Sequence, residues 1–158
     1  MIVNSGEFCF VSDSFFTSVN DPYLKINYPT TKRPHYLAVY DAITDFYWLV
    51  PCSSKISKYT NIILERKSKN KPTNIFCIIK IQNIDMALLF GDMFPVSSKF
   101  IASPYIKAGT VVKLSDPHKI AALEKNAHKI IKMLLRGVKF SPTQPDIRRI
   151  IEFLEKDI

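Results

Sequence analysis

The chain has 158 residues, 47% of them hydrophobic and 23% charged, which predicts one folded domain, residues 1–158, with a core that needs no disulfide or metal clip. Four glycines and ten prolines exclude a collagen-like or low-complexity chain. The formal net charge of +8 is spread evenly, since residues 1–80 hold 10 Lys and Arg against 6 Asp and Glu, and residues 81–158 hold 12 against 8. This favours a polyanionic partner, with solubility alone as the alternative.

The first third of the chain predicts strands joined by a long loop. Alternating residues near Phe8 to Val11 indicate an early strand, followed by a Ser- and Phe-rich turn. Residues 20–34 contain three prolines and predict an extended loop, and loops of this length are often functional. The runs 35–44 and 45–53 are rich in Tyr, Val, Trp and Phe and predict two antiparallel strands, the second ended by Pro51.

The middle of the chain predicts further strands. Residues 54–83 indicate an apolar segment, a charged tip and a strand at 74–81. The tip is interpreted as a solvated hairpin and consists of Arg66, Lys67, Lys69 and Lys71. Residues 86–101 predict a strand with a bulge or turn at Gly91 and Asp92, in which Pro95 excludes a central, fully paired position.

Two helices are predicted at the C-terminus. Asp116 is a suitable cap for the first, with Pro117 in its first turn and Gly137 at its end. Its apolar stripe consists of Ile120, Leu123, Ala127, Ile130, Ile131, Leu134 and Leu135, and its opposite face forms a basic ridge of Lys125, Lys129, Lys132 and Arg136. The second runs from about Pro145 to Asp157, burying Ile147, Ile150, Ile151 and Leu154 and exposing Arg148 and Arg149.

The sequence gives no support for a metal or cofactor. The cysteines Cys9, Cys52 and Cys77 lack CxxC spacing and are interpreted as reduced thiols. The three histidines are not at ligand spacing, and no phosphate-binding glycine loop, HExxH or GxSxG motif occurs. No apolar run is long enough to span a membrane, and we expect a cytoplasmic protein.

The turn Pro51–Lys55 brings two hydroxyls, Ser53 and Ser54, next to the ammonium of Lys55. Hydroxyls donate hydrogen bonds to phosphate oxygens, and a lysine stabilises developing charge or moves a proton. An ordinary turn after a strand is the alternative. If the two strands pair, their outer ends lie side by side, so this turn would face Lys32 and Arg33.

Several other side chains near this turn suit a nucleic acid. Arg33 can hold a phosphate with two parallel hydrogen bonds. His35 suits proton transfer near neutral pH, but it is as readily explained by a hydrogen bond to a backbone carbonyl. The interleaved tyrosines can stack on unpaired bases or pack as core and rim residues; they are Tyr23, Tyr28, Tyr36 and Tyr59.

These groups are sufficient for one reaction, the cleavage of RNA by its own 2′-hydroxyl. The hydroxyl attacks the phosphorus, giving a 2′,3′-cyclic phosphate and a free 5′-hydroxyl. The protein has only to hold the chain in line, move two protons and stabilise charge.

The order of motifs along nearly the whole chain resembles one family. It is carried by residues 32–41 (KRPHYLAVYD), 46–55 (FYWLVPCSSK) and 93–101 (MFPVSSKFI), and by the helical C-terminus. The chain resembles the ToxN/AbiQ/CptN family, the endoribonuclease toxins of type III toxin-antitoxin systems, and is most similar to the CptN branch. The motifs themselves are short.

The resemblance implies an α+β fold, a compact twisted antiparallel β-barrel like that of the Kid/MazF toxins, with peripheral and C-terminal α-helices. It implies sequence-selective RNA cleavage without a metal or cofactor. It also implies an RNA antitoxin of pseudoknot repeats that the toxin both processes and binds in basic grooves. Toxin and RNA would then close into a hetero-oligomer.

In this family, a strand that ends in Pro, a variable residue, Thr or Ser, Ser and a nearby Lys forms much of the active site, and Pro51 to Lys55 matches this motif. The resemblance implies that Ser53 positions or protonates the scissile phosphate, Lys55 stabilises charge or transfers a proton, and Arg33 binds phosphate. A spacer residue of the commoner pattern is missing here. Two pairs therefore remain possible, Ser53 with Lys55 or Ser54 with Lys58.

The remaining candidates are RNA-binding residues. They are Tyr28, Lys32, His35, Lys58, Tyr59, Lys125, Lys129, Lys132 and Arg136. The last four suit one side of a groove that holds RNA by shape and backbone, although a solvated helix face is an equal alternative. Two other functions stay open: a non-catalytic RNA-binding module, and a DNA-binding regulator, for which helix-turn-helix spacing is lacking.

Overall fold

Antiparallel strands and helices alternate along the chain in the computed structural model, which describes residues 3–157. The strands in this range are β1 (Phe8–Val11), β2 (His35–Asp41), β3 (Phe46–Ser53), β4 (Phe76–Ile81), β5 (Ile84–Leu89), β6 (Phe94–Val96), β7 (Ile101–Pro104), β8 (Ile106–Lys107) and β9 (Thr110–Val111). The α-helices are α1 (Asp13–Val19), α2 (Ile56–Ser68), α3 (Pro117–Leu135) and α4 (Ile147–Lys156). Two 3-10 turns, Phe90–Asp92 and Ser98–Phe100, flank β6.

The main sheet has the strand order β4-β5-β3-β2-β1-β7, and β6 also pairs with β3. All of these pairings are antiparallel, while β8 and β9 form a separate ribbon. The predicted α+β class with an antiparallel sheet is confirmed. No pairing between β4 and β7 is found in the described part of the chain, so the closed barrel is not confirmed.

The long strand β3 pairs with three other strands, β2, β5 and β6. It pairs with β2 from Phe46 to Pro51, and the register sets His35 opposite Pro51. Its first half also pairs with β6, and its last two residues pair with β5, Cys52 with Leu88 and Ser53 with Ala87. The end of β3 is therefore fixed from both sides, which holds the turn after it in place.

Aromatic side chains fill the centre of the core. Phe15 lies against Phe16, Phe94, Phe100 and Phe153, with ring centroids 5.2 to 6.3 Å apart. The predicted Ser- and Phe-rich turn is wrong, because residues 13–19 form α1. Since so short a helix is marginal alone, we attribute it to the burial of Phe15, Phe16 and Val19 on one face.

The charged tip after residue 65 is also different from the prediction. Residues 56–68 form helix α2, so Arg66, Lys67, Lys69 and Lys71 lie at and just after its C-terminus rather than at a hairpin. Tyr59, Ile56 and Ile62 pack on β4 and β5. Cations in the last turn of a helix interact favourably with its dipole, which explains why a lysine-rich sequence ends a helix here.

The predicted C-terminal helices are confirmed, but Leu135, predicted to belong to the apolar stripe, is exposed at the end of α3. Asp116 caps α3 by accepting a hydrogen bond from the His118 backbone N–H at 3.0 Å, and Gly137 follows the helix with φ of +86°. α4 begins at Ile147, slightly later than predicted, with Asp146 as its cap. The turn at Gly91 and Asp92 is confirmed as a 3-10 turn, and Pro95 lies in the three-residue strand β6. No helix within residues 3–157 is long and apolar enough to cross a membrane.

Candidate functional site

The two ends of the β2–β3 hairpin meet, as the sequence predicts. The backbone N–H of Cys52 donates to the Pro34 carbonyl at 3.0 Å, and Arg33 Nη1 donates to the Cys52 carbonyl at 2.9 Å. Arg33 is thereby tied to the residue that precedes Ser53. The loop before β2 and the turn after β3 form one continuous surface.

Arg33 is held by the long loop 20–34 as well as by β3. Its Nε donates to the Ile26 carbonyl at 3.2 Å, and its guanidinium lies 4.6 Å from the centre of the Tyr28 ring. Its backbone N–H donates to Asn27 Oδ1, and the Asn27 amide in turn donates to the Val11 carbonyl and to Asp13. Two of the five N–H donors of the guanidinium are used within residues 3–157, which leaves three for a ligand.

The two hydroxyls of the turn differ in accessibility. Ser53 is only 5% exposed, and its Oγ accepts a hydrogen bond from the Lys55 backbone N–H at 3.2 Å. Ser54 and Lys55 are both exposed. Ser53 therefore stabilises the turn, whereas the side chains of Ser54 and Lys55 are accessible from the solvent.

The start of α2 is strongly electropositive. Lys55 occupies its N-cap, Lys58 lies in its first turn, and that turn contains no acidic residue. The N-terminus of a helix carries a partial positive charge and unpaired N–H groups, and it normally favours acidic side chains. Two lysines there repel the helix dipole, and an anion bound at this point relieves the repulsion. Together with Arg33, the helix start is suited to a phosphate.

Asp92 is a partly buried carboxyl that the sequence analysis missed. Burial raises its pKa, and the positive charges of Lys25, Arg33 and Lys58 act in the opposite direction. The Asp92 carboxyl therefore lies close enough to these three cations to interact with them. The sequence carries only a turn signal at Gly91 and Asp92, because the position of Asp92 beside the cations depends on how the 3-10 turn packs.

His35, Tyr36 and Tyr59 are buried, which contradicts the RNA contacts predicted for them. His35 is fully buried between Phe16 and Phe94, its Nδ1 donates to the Arg33 carbonyl at 3.0 Å, and burial lowers its pKa to about 3. The prediction that His35 contacts RNA is wrong for this structure, and the carbonyl interpretation is confirmed. Tyr36 and Tyr59 are also buried and not free to stack on a base.

The remaining candidates are exposed but lie on different elements. Lys32 and Tyr28 belong to the loop beside Arg33, while the Lys58 ammonium lies 5.3 Å from the centre of the Tyr59 ring. The basic ridge lies on α3, which packs against β2, and all four of its cations are exposed: Lys125, Lys129, Lys132 and Arg136. The ridge is a second basic surface, separate in sequence and element from the turn.

The three cysteines are buried or partly buried. Cys9, Cys52 and Cys77 are unpaired thiols, and burial raises the pKa of each. Thiols with a raised pKa are poor nucleophiles. Within residues 3–157 no three His, Cys, Asp or Glu side chains converge as metal ligands do.

A small cavity opens beside the turn. It has a volume of about 130 Å³, and both Ser53 and Ser54 belong to its wall. Tyr28 and Tyr105 are also in the wall, so the cavity adjoins both the exposed hydroxyl and the loop that holds Arg33. The candidate site thus combines cations, a hydroxyl, a helix N-terminus and a concave pocket.

Among known proteins, no family model matches this sequence, and no curated protein does. Among solved structures, the chain is similar to AbiQ, a lactococcal anti-phage endoribonuclease belonging to the type-III toxin-antitoxin system. The two chains are 14% identical with a TM-score of 0.58, and the match covers 98% of this chain and 96% of AbiQ. The predicted resemblance is confirmed as a common fold over nearly the full length.

Proposed function

We propose that this protein is an endoribonuclease toxin of a type III toxin-antitoxin system. The observation that carries the proposal is the hydrogen bond from Arg33 to the Cys52 carbonyl, which lies two residues before Ser54 and three before Lys55, the N-cap of α2. It is supported by the fold in common with AbiQ, which is itself an endoribonuclease of such a system. The even excess of positive charge suits RNA as the substrate.

In the proposed mechanism, the scissile phosphate lies against the start of α2. The free donors of Arg33 and the exposed Ser54 hydroxyl hold its oxygens, and the Lys55 ammonium stabilises the charge that develops at phosphorus. The 2′-oxygen forms a bond to phosphorus as the bond to the 5′-oxygen breaks. The 2′-hydroxyl loses a proton and the 5′-oxygen gains one, giving the cyclic phosphate and the 5′-hydroxyl.

The proton transfers fall to Lys55 and solvent in this proposal. His35 is excluded as a proton donor or acceptor by its burial, and the other histidines, His118 and His128, are on α3.

Arg33 has two roles in this proposal, because its hydrogen bonds to the Ile26 and Cys52 carbonyls also hold the loop against the end of β3. Exposure favours Ser54 over Ser53 as the hydroxyl that contacts RNA, and the mechanism combines Ser54 with Lys55, with Lys58 as the alternative cation.

Mutation to alanine distinguishes the roles of Ser53 and Ser54. We expect Ser54→Ala to lower the cleavage rate about tenfold or more with unchanged thermal unfolding, because its hydroxyl is exposed. Ser53→Ala should reduce the free energy of unfolding by about 1 kcal/mol, since it removes the hydrogen bond to the Lys55 N–H. Cleavage kinetics and thermal melts of both variants measure this. Full activity of the Ser54 variant would contradict the assignment.

The inhibitor in this proposal is an RNA antitoxin of pseudoknot repeats, which the toxin also processes. The exposed ridge on α3 is suited to a folded RNA held through its phosphates, and binding there is expected to weaken steeply with salt. Two basic surfaces on one chain, the ridge and the turn, allow one RNA to bridge two toxins and close a hetero-oligomer.

Metal independence is the property that tests the mechanism directly. We expect the purified protein to cleave RNA in EDTA and to leave 5′-hydroxyl and cyclic phosphate ends, because its cations and hydroxyl supply what the reaction needs. Kinase labelling of the new ends and mass spectrometry of the products measure this. A strict requirement for magnesium would contradict the mechanism.

A non-catalytic RNA-binding module is the second candidate, favoured by the basic ridge on α3, which lies away from the turn in the sequence. Such a module shifts RNA in a gel without new 5′-hydroxyl ends, so the same incubation separates the two functions. A competition in which duplex DNA displaces folded RNA would instead favour a DNA-binding regulator.

A further inference from the structure

A larger cavity lies at the other end of the β2–β3 hairpin from the proposed cleavage site. Its volume is about 380 Å³, and a cavity of about 150 Å³ in another protein holds one benzene molecule. Its walls come from the hairpin turn at residues 42–45, from the adjoining strand ends and from α3. The eight residues of β3, roughly 25 Å of chain, separate it from the turn that carries Ser54 and Lys55.

The inner wall of the cavity is apolar. Val39 of β2 and Trp48 of β3 lie opposite each other in the register, and both are buried and belong to this wall. Such a pair lies on one face of a hairpin, and Ile131 of α3 joins it in the wall. The next pair, Tyr40 and Tyr47, alternates to the opposite face, where the two rings stack at 4.6 Å. A flat ring in the cavity therefore contacts the side of the hairpin that α3 covers.

The outer rim of the cavity carries an apolar side chain that the fold does not use. Ile43 is 96% exposed, although it lies in the hairpin turn beside the cavity. The turn is held in place by Asp41, whose Oδ1 accepts hydrogen bonds from the backbone N–H groups of Ile43 at 2.9 Å and Thr44 at 3.5 Å. A single exposed isoleucine is ordinary, but here it extends the apolar wall of a cavity.

The basic ridge of α3 runs along one side of the cavity. Residues three or four apart are neighbours on a helix, so Lys125 and Lys132 both lie next to His128, which belongs to the wall. Among the described residues, the wall itself has no lysine or arginine, and it contains the Asp41 carboxyl. Glu124 also lies near, 3.8 Å from His128 Nε2. The ridge thus attracts phosphates, whereas the cavity repels them and suits an uncharged ring.

We infer that this cavity binds one unpaired nucleobase of the RNA whose phosphates lie on the basic ridge. A base is joined to its phosphates through the sugar, so a nucleotide turned out of a helix reaches both surfaces at once. The ridge attracts any polyanion, and the cavity adds a preference for folded RNA with a splayed base over a perfect duplex. The inference rests on the proposed function in taking RNA as the partner, and it assigns no part in cleavage to Ile43 or Trp48.

Ile43→Ser tests the contact at the rim. We expect it to weaken binding of an RNA hairpin with one bulged adenosine about fivefold or more, with unchanged thermal unfolding, because Ile43 is exposed in the free protein. The same hairpin without the bulge should bind more weakly to the wild type and equally to both proteins. Fluorescence anisotropy with 2′-O-methylated RNA, which cannot be cleaved by its own 2′-oxygen, measures the affinities.

Leu64→Ser is the matched control, because Leu64 is an exposed aliphatic residue on a different element, α2. It should bind the bulged hairpin as the wild type does. Equal losses in the two variants, or no loss in Ile43→Ser, would overturn the inference. A wild type that binds both hairpins alike would also overturn it, and dimerisation in analytical ultracentrifugation would then identify a second copy of the chain as the occupant of the rim.

Trp48 reports the occupant of the cavity directly, since it is the only tryptophan of the chain. Adenosine 5′-monophosphate should change its fluorescence in a saturable way, and ribose 5-phosphate, which has the phosphate without the base, should not. Unchanged fluorescence with the adenosine nucleotide would contradict the cavity as a base site. Neither probe is cleaved, so a base-dependent change in a protein that fails to cleave RNA would overturn only the nuclease function.

Discussion

Lys55→Ala should reduce RNA cleavage by about 100-fold or more, because positioned acid, base and charge-stabilising groups typically contribute factors of about 10² to 10⁴. The variant should remain folded. Lys55 is exposed at the N-cap of α2, where its side chain makes no capping hydrogen bond and repels the helix dipole. Single-turnover cleavage of an RNA substrate and a thermal melt of the same sample measure the two expectations.

Lys67→Ala is the control for this experiment, since Lys67 is an exposed lysine at the other end of the same helix. It should lose no more than a small factor through weaker RNA attraction. If Lys55→Ala cleaves at the wild-type rate and Lys58→Ala does not, the alternative pair, Ser54 with Lys58, is correct. If both variants cleave normally, the turn is not the catalytic site.

Acid should destabilise the protein through His35. Burial lowers the pKa of His35 from 6.5 to about 3, so between these values the unfolded chain binds a proton that the folded protein does not. The free energy of unfolding therefore falls as the pH decreases through this window. From His35 alone we expect a loss of about 2–3 kcal/mol between about pH 7.5 and about pH 4.5. Urea titrations at both pH values measure it.

Two measurements isolate this contribution. His35→Phe keeps a ring between Phe16 and Phe94 and should reduce the loss on acidification by the same amount. In the wild type, the NMR signals of the His35 ring should not titrate above about pH 4. A His35 ring that titrates near pH 6.5 in the folded protein would contradict the prediction.

The sequence predicted the parts of the site that depend on local order and strand pairing. Once residues 35–53 form a hairpin, Arg33 must lie beside Cys52, and the hydrogen bond between them follows from the register. The caps of α3 were predictable for the same reason, because Asp116 and Gly137 act on their own helix. These features depend on neighbours within a few residues or directly across a strand.

The features that were missed depend on tertiary packing. Residues 56–68 carry isoleucines compatible with either a strand or a helix, and the contact of Tyr59 with Phe76 of β4 decides for the helix. The burial of His35 depends on Phe16 of α1, and α1 is too short to be predicted from its own sequence.

The start of α2 also has a consequence for how the protein can be altered. Ser, Thr, Asp or Asn at an N-cap stabilises a helix by about 1 kcal/mol relative to residues that do not cap, so Lys55 is a poor choice for stability. A substitution such as Lys55→Asp should make the fold more robust and remove the phosphate site in one step. Stability and activity therefore make opposite demands on this residue, and a search for thermostable variants is expected to select inactive ones.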